Sequence, residues 1–349
     1  MLLMISAACP GVHYCSAPHP EKGEDAGFSV SLSPEDVAGL TDDEISTALR
    51  SAFAMIQRGL LDRAPSDTPV YGGSTAVVAL MVGEKTFIAN SGDSIAMVLK
   101  EDEKIEVPFR HSFPEHRSEC IPSRFMQGDR HFLLQEKNNY LCVFEYVDTE
   151  WQVRAGLEPT KGFGDLWHEC FFDDWSDPDI TIVPRSKRVV LATDGIDKAY
   201  FVPDDSDSDE SESGAPDVVY YNSLDNENLV SCFSGTLKVE DVATVPGLIN
   251  QLAQDCCTWD DVLVIAADPE PDAVKLFGVF DGHGGKVVAQ YAATSMGNAV
   301  YQQLALQQEK RREKQAFIAA YDERSSAMSL YAARAKAKAT ARRATEATP

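Results

Sequence analysis

Eight short β-branched or aromatic runs punctuate the chain: Thr75–Val82, Thr86–Asn90, Ala96–Leu99, Tyr140–Val147, Ile180–Val183, Val189–Ala192, Val262–Ala267 and Lys275–Phe280. Each is bounded by Gly, Asp, Asn or Pro, so the chain turns every few residues. That pattern fits stacked antiparallel sheets. Helical periodicity is rarer. Thr41-Asp-Asp-Glu44 reads as a capping box, and Ile45, Leu49, Phe53, Ile56 and Leu60 then share one face. A second helix is expected after Gly285, with Val287, Val288, Tyr291, Ala292, Val300 and Leu304 at helical spacing, and a third over Val245–Cys256. Strands and helices that do not alternate strictly indicate an α+β sandwich rather than a doubly wound parallel sheet.

The 349 residues, 44% of them hydrophobic, suffice for a sizeable core. Charge is unevenly spread. The formal net charge is −24, made of −29 over residues 1–300 and +5 over residues 301–349. So acidic a body disfavours nonspecific binding to nucleic acid or an anionic membrane and suits hard cations. Eight cysteines without a CxxC pair read as reduced thiols of an intracellular protein, in cytoplasm or nucleus. The apolar opening Met1–Pro10 lacks a basic start and is read as a first strand, not a signal peptide. No run approaches the ~20 apolar residues of a membrane-spanning helix.

Two segments stand apart. Asp204–Asp217 has almost no apolar residue and is expected to be a disordered acidic loop. Past Gln307 the chain turns Ala-, Lys- and Arg-rich, as an extended solvated helix fraying into a tail. The expected division is therefore a domain over residues 1–305 and a basic helical tail over 306–349.

Chemistry is concentrated where strands end. The run Leu276–Gly285 closes an apolar strand with Asp281, His283 and three glycines, as a metal turn does. Further acids, Glu24, Asp25, Asp93, Asp165, Asp194, Asp260 and Asp261, lie in similar small-residue surroundings. Carboxylates without a Cys or His cluster select Mg²⁺ or Mn²⁺ over zinc.

Seven segments together resemble the metal-dependent protein phosphatases of the PPM, or protein phosphatase 2C, family. They are Gly23-Glu-Asp-Ala26, Gly73-Ser-Thr-Ala76, Asn90-Ser-Gly-Asp-Ser94, Gly162-Phe-Gly-Asp165, Leu191-Ala-Thr-Asp-Gly195, Asp260-Asp261 with the strand after it, and Phe277-Gly-Val-Phe-Asp-Gly-His-Gly-Gly285. The resemblance implies a four-layer α-β-β-α sandwich with a binuclear Mn²⁺ or Mg²⁺ centre at one end. It implies that Asp281 bridges two ions and that the Gly282 carbonyl binds one. Glu24 is then a ligand largely through water, Asp194 and Asp260 hold the other ion, and Asp25 and Asp165 are outer-shell or third-metal groups. The resemblance further implies that metal-activated water would attack a phosphoserine or phosphothreonine of a protein substrate and that His283 would protonate the departing oxygen. A monomer is expected.

The chain departs from that pattern. The family's phosphate-gripping arginine is missing from Ala17–Gly23, where Lys22 or His19 are the available substitutes. Ile95 stands for another usual arginine, Asp194-Gly-Ile-Asp197 lacks the usual tryptophan, and Asp261 replaces an asparagine. Most of all, the Asp281 strand-turn-helix unit comes last instead of following the Glu24-Asp25 strand. The strand order is thus rearranged, with Asp268–Asp272 expected as a short turn joining Val262–Ala267 to Leu276–Phe280 as antiparallel partners. The lost arginine leaves a second expectation open: a pseudophosphatase that binds phosphoproteins without hydrolysing them.

Overall fold

A computed structural model describes residues 12–17, 24–63, 72–100, 105–106, 125–127, 130–137, 140–157, most of 159–193, and 262–346 apart from 269 and 271. In chain order the first half comprises β1 (Val12–Ala17), β2 (Ala26–Leu32), α1 (Asp42–Leu61), β3 (Gly73–Ser74), β4 (Ala76–Val82), β5 (Lys85–Ser91), β6 (Ile95–Leu99) and β7 (Ile105–Glu106). There follow β8 (Phe125–Gln127), β9 (Arg130–Lys137), β10 (Tyr140–Val147), β11 (Glu150–Leu157), β12 (Phe163–Gly164) and α2 (Leu166–Glu169). The described chain closes with β13 (Asp179–Pro184), β14 (Arg188–Ala192), β15 (Val262–Ala267), β16 (Val274–Phe280), β17 (Gly282–His283) and α3 (Val287–Glu346).

Two five-stranded antiparallel sheets form the sandwich, one ordered β1-β15-β14-β6-β7 and the other β13-β5-β4-β16-β2. Alternation along the strands builds two cores. On β16, Phe277 and Val279 point between the sheets, against Val77, Ala79, Leu191 and Ile265. Leu276 and Phe280 point the other way, against Phe53 and Ile56 of α1 and Ala292 and Met296 of α3. Three layers, helix-sheet-sheet, are therefore described. The helix expected over 245–256 lies outside the described residues, as do Met1–Pro10 and the acidic loop 204–217.

α1 starts as the capping box requires: Glu44 N–H donates to Thr41 Oγ1 at 3.3 Å and Thr41 N–H to Glu44 Oε2 at 2.7 Å. All five residues of its expected apolar face are buried. α3 is one helix of 60 residues. Its first four turns pack on the sheet, although Val287, expected on the buried face, is 70% exposed. Arg311 then reaches Glu44 at 2.9 Å and the Gln308 amide donates to the Glu35 carbonyl at 2.6 Å. No helix among the described residues is long and apolar enough to cross a membrane.

One expectation is corrected. β15 and β16 are not hairpin partners: β15 lies in one sheet between β1 and β14, and β16 lies in the other between β2 and β4. The turn that begins at Asp268 therefore carries the chain across the sandwich. Side chains pin it on both sides. Arg188 grips the Asp268 carboxylate with two hydrogen bonds, at 2.6 and 2.9 Å, while Lys275 Nζ donates to the Asp268 carbonyl and to Glu270, both at 2.8 Å. β16 is buried along its whole length, so both of its hydrogen-bonding edges need partners. The gap between β2 and β4 supplies two, whereas a place beside β15 does not arise, because β1 and β14 already occupy both of its edges.

A third sheet, β11-β10-β9-β8, is a meander packed by Phe132, Leu134, Leu141 and Val143 onto Phe171, Phe172 and Trp175. Its β10–β11 hairpin turns through Asp148 and Thr149, at φ of 47° and 77°. That is the left-handed pair which tight two-residue hairpins demand.

Candidate metal and phosphate site

The candidate site sits on a small fourth sheet, the three-stranded β12-β3-β17. Gly73-Ser74 pairs on one edge with Phe163-Gly164 and on the other with Gly282-His283. The main sheet delivers Asp281 into it: Phe280 is paired with Ala26, and the Asp281 carbonyl then accepts from Thr75 N–H at 2.9 Å. Glu24 and Asp25 precede Ala26 on the neighbouring strand. A Cβ at Gly282 would run into the Glu24 carbonyl oxygen, so the two strand ends are in close contact and only glycine fits there. Glu24 and Gly282 thus lie side by side at the ends of neighbouring strands, with Asp25 and Asp281 next to them in the chain.

Asp165 and His283 are joined more tightly than the sequence suggests. His283 Nε2 lies 2.8 and 3.0 Å from the two carboxylate oxygens of Asp165. Asp165 is buried and holds a left-handed backbone, φ 48°, following Gly164 at φ 72°. A non-glycine residue there carries strain of order 1–3 kcal/mol, and surrounding contacts must hold it. They do so by name. Asp165 N–H donates to the Gly72 carbonyl at 3.2 Å, and buried Gln57 of α1 brackets Gly164 with two hydrogen bonds, 2.9 Å to its N–H and 3.2 Å to its carbonyl. A Cβ at Gly73 would overlap the Asp165 carboxylate.

Charge follows from this geometry. Burial lowers the pKa of His283, but the charge and hydrogen bond of Asp165, assisted by Asp93 and Glu24, outweigh it and leave the imidazole above its ordinary value. His168, one turn after Asp165, behaves oppositely. Burial dominates and holds it neutral, with Nε2 donating to the Leu141 carbonyl at 2.8 Å. Two histidines near one carboxylate are thereby shifted in opposite directions, the partly exposed one toward its protonated form.

Asp194, Asp260 and Lys22 lie outside the described residues, as do His19 and Asp261. β14, which precedes Asp194, and β15, which follows Asp260, are bonded to each other at these ends: Thr193 N–H donates to the Leu263 carbonyl at 3.1 Å, and Leu263 N–H to Thr193 Oγ1 at 3.0 Å. Among the described residues no group of three or more His, Cys, Asp or Glu side chains is arranged to hold a metal ion. The donors that the neighbouring strand ends carry, Glu24 and Asp25 before β2 and Asp281 and the Gly282 carbonyl after β16, are all oxygen. That set fits Mg²⁺ or Mn²⁺. Sequence reasoning missed Gln57, which reads as one more residue of an amphipathic helix, and the direct link between Asp165 and His283.

Residues 33–200 match the family Protein phosphatase 2C. The match takes in Asp165 and Asp194 and stops short of Glu24 on one side and Asp260, Asp281 and His283 on the other. It is 29% identical over 187 residues to "Probable protein phosphatase 2C 35" of Arabidopsis thaliana, with 48% of this chain and 52% of the relative covered. A second Arabidopsis thaliana relative, "Protein kinase and PP2C-like domain-containing protein", is 29% identical over 178 residues, which cover 48% of this chain and 24% of that protein. The chain thus spans about half the length of the first relative and a quarter of the second. Among solved structures, a phosphatase from a pathogenic strain of Toxoplasma gondii aligns at a TM-score of 0.42 and 13% identity over 75% of this chain and 94% of that one. A Staphylococcus aureus serine/threonine phosphatase aligns at 0.37 and 15% identity over 77% and 99%.

Proposed function

We propose that this chain is a metal-dependent protein serine/threonine phosphatase acting on phosphoprotein substrates. The observation that supports the reading is the His283–Asp165 pair on the same small sheet as Gly282, whose backbone abuts Glu24, in a chain whose residues 33–200 match the protein phosphatase 2C family. Glu24, Asp25, Asp281 and Gly282, together with Asp194 and Asp260, would hold two Mn²⁺ or Mg²⁺ ions, and Asp165 would serve a third or stand in the outer shell. When bound, the ions supply Lewis acidity that makes water a nucleophile near neutral pH and offset the charge that builds on phosphorus.

The protein's own part is proton delivery and positioning. Asp165 favours the protonated form of His283 and fixes its ring through Nε2, so the proton offered to the departing serine or threonine oxygen would be the one on Nδ1. Gln57 and the Gly72-Gly73 pair hold Asp165 where it can do this. Lys22, for want of an arginine, is the candidate for gripping the substrate phosphate, as a point charge rather than a bidentate fork. The same lost arginine favours a second reading, a pseudophosphatase that binds phosphoproteins without turnover. An intracellular, monomeric protein with reduced thiols completes the proposal.

A Mn²⁺-dependent assay on a phosphothreonine peptide separates the readings. Turnover that Asp281→Asn abolishes supports the enzyme. Turnover that survives Asp281→Asn rejects the mechanism, and peptide binding without turnover supports the pseudophosphatase.

A further inference from the structure

Beyond its packed first turns, α3 continues as a helix to Glu346, with every described side chain from 313 to 336 exposed. Four large apolar residues lie along this stretch on one side. Phe317, Tyr321, Met328 and Tyr331 are spaced by four, seven and three residues and fall within a stripe about 80° wide and ~21 Å long. They are 73, 66, 68 and 77% exposed. Arg324 stands in the middle of the stripe, and Lys310, Arg311, Arg312 and Lys314 precede it.

We propose that this helix is a docking element for the acidic, apolar helix-receiving groove of a calcium-loaded EF-hand sensor. Three properties select that occupant. The stripe is two heptads long, short of the three to four that a stable coiled coil needs, and close to the length that one groove encloses. Its anchors are aromatic residues and a methionine, which suit an adaptable methionine-lined groove better than a zipper seam built for Leu and Ile. Its flanks are basic, with Lys310, Arg312 and Lys314 before the anchors and Arg334, Lys336 and Lys338 after them, and complement a groove rimmed with carboxylates.

The alternatives each meet an obstacle on the same chain. A second copy would set Arg324 and the lysines against their like. The acidic loop 204–217 offers charge but almost no apolar side chain to cover the stripe. An anionic membrane is repelled by a body carrying −29.

The test uses the full chain and calcium-loaded calmodulin as the probe of that groove. A one-to-one complex with Kd near or below about 1 µM is expected, lost on chelating calcium. The combined Phe317→Ala, Tyr321→Ala, Met328→Ala and Tyr331→Ala variant is expected to weaken it at least 30-fold, and Arg324→Glu to weaken it as well, with thermal unfolding unchanged because alanine keeps the helix. No complex at about 50 µM probe, or equal binding by the fourfold variant, overturns the proposal. So does tighter association with phosphatidylserine vesicles than with the probe, or dimerisation of the chain that the fourfold variant abolishes.

Discussion

Asp165 is held from four directions, and each hold can be removed alone. His283 binds its carboxylate, Gly72 accepts its N–H, Gln57 brackets the glycine before it, and Gly73 leaves it room. Asp165→Asn keeps the shape and removes the charge. We expect kcat to fall about 10²-fold or more with KM little changed, because proton delivery and not substrate binding is lost. Steady-state kinetics on a phosphothreonine peptide check this. Gly73→Ala pushes a methyl group into the carboxylate. Thermal unfolding should show a loss of about 1–3 kcal/mol in stability along with reduced turnover. These contacts were not legible in the sequence for a physical reason. Asp165 and His283 are 118 residues apart, and two-residue strands such as β3, β12 and β17 are too short to show any periodicity. The types were legible, since glycines beside acids at strand ends announce close approach; their pairing was not.

At the scale of elements, legibility followed burial. α1 announced itself by its capping box, and strands buried on both faces, such as β4 and β16, by unbroken apolar runs. The meander was visible only through β10. Its neighbours β9 and β11 mix Arg130, His131, Glu136, Glu150 and Arg154 with their apolar residues, because β11 is largely solvent-exposed. One buried charge in the meander sets a pH dependence. Arg130, and then Arg154, hydrogen-bond Glu145 at 2.6 and 2.7 Å and hold its pKa below the ordinary 4.5 against the opposing effect of burial. A lowered folded pKa gives stability that is present above the ordinary value and lost as pH falls through the folded one. The advantage of wild type over Glu145→Gln in melting temperature should therefore be full near neutrality and close as pH drops below 4.5. Melts across that range decide it. Lys275 makes a second case. It is 1% exposed and clamps the crossover turn. Lys275→Met keeps the aliphatic stem but leaves the Asp268 carbonyl without that donor. A loss of roughly 1–3 kcal/mol is expected in denaturant unfolding.

For the whole molecule, the position of β16 changes what a truncation can reveal. Ending the chain at Asp268 removes the partner of both β2 and β4 together with the first turns of α3, so we expect an unfolded or aggregating product by circular dichroism. Ending it after Arg312 removes only exposed helix and should leave melting temperature and turnover close to those of the full chain. The two truncations together separate the folded domain from its projecting helix. The misplaced expectation about β15 and β16 belongs to this scale too: a short Pro- and Asp-rich link suits a hairpin and a sandwich crossover equally, and which edges are already taken is a property of the assembled sheets.

The late arrival of β16 has a consequence for synthesis. A ribosome makes β2 (Ala26–Leu32) and β4 (Ala76–Val82) long before β16 (Val274–Phe280), the strand that must lie between them, and contacts so distant in sequence form slowly. Throughout that interval the nascent chain carries two unsatisfied strand borders flanking an apolar slot, which is the kind of surface that chaperones shield and that other chains invade. Production of this protein should therefore depend on how well the growing polypeptide is guarded until residue 280 has left the exit tunnel.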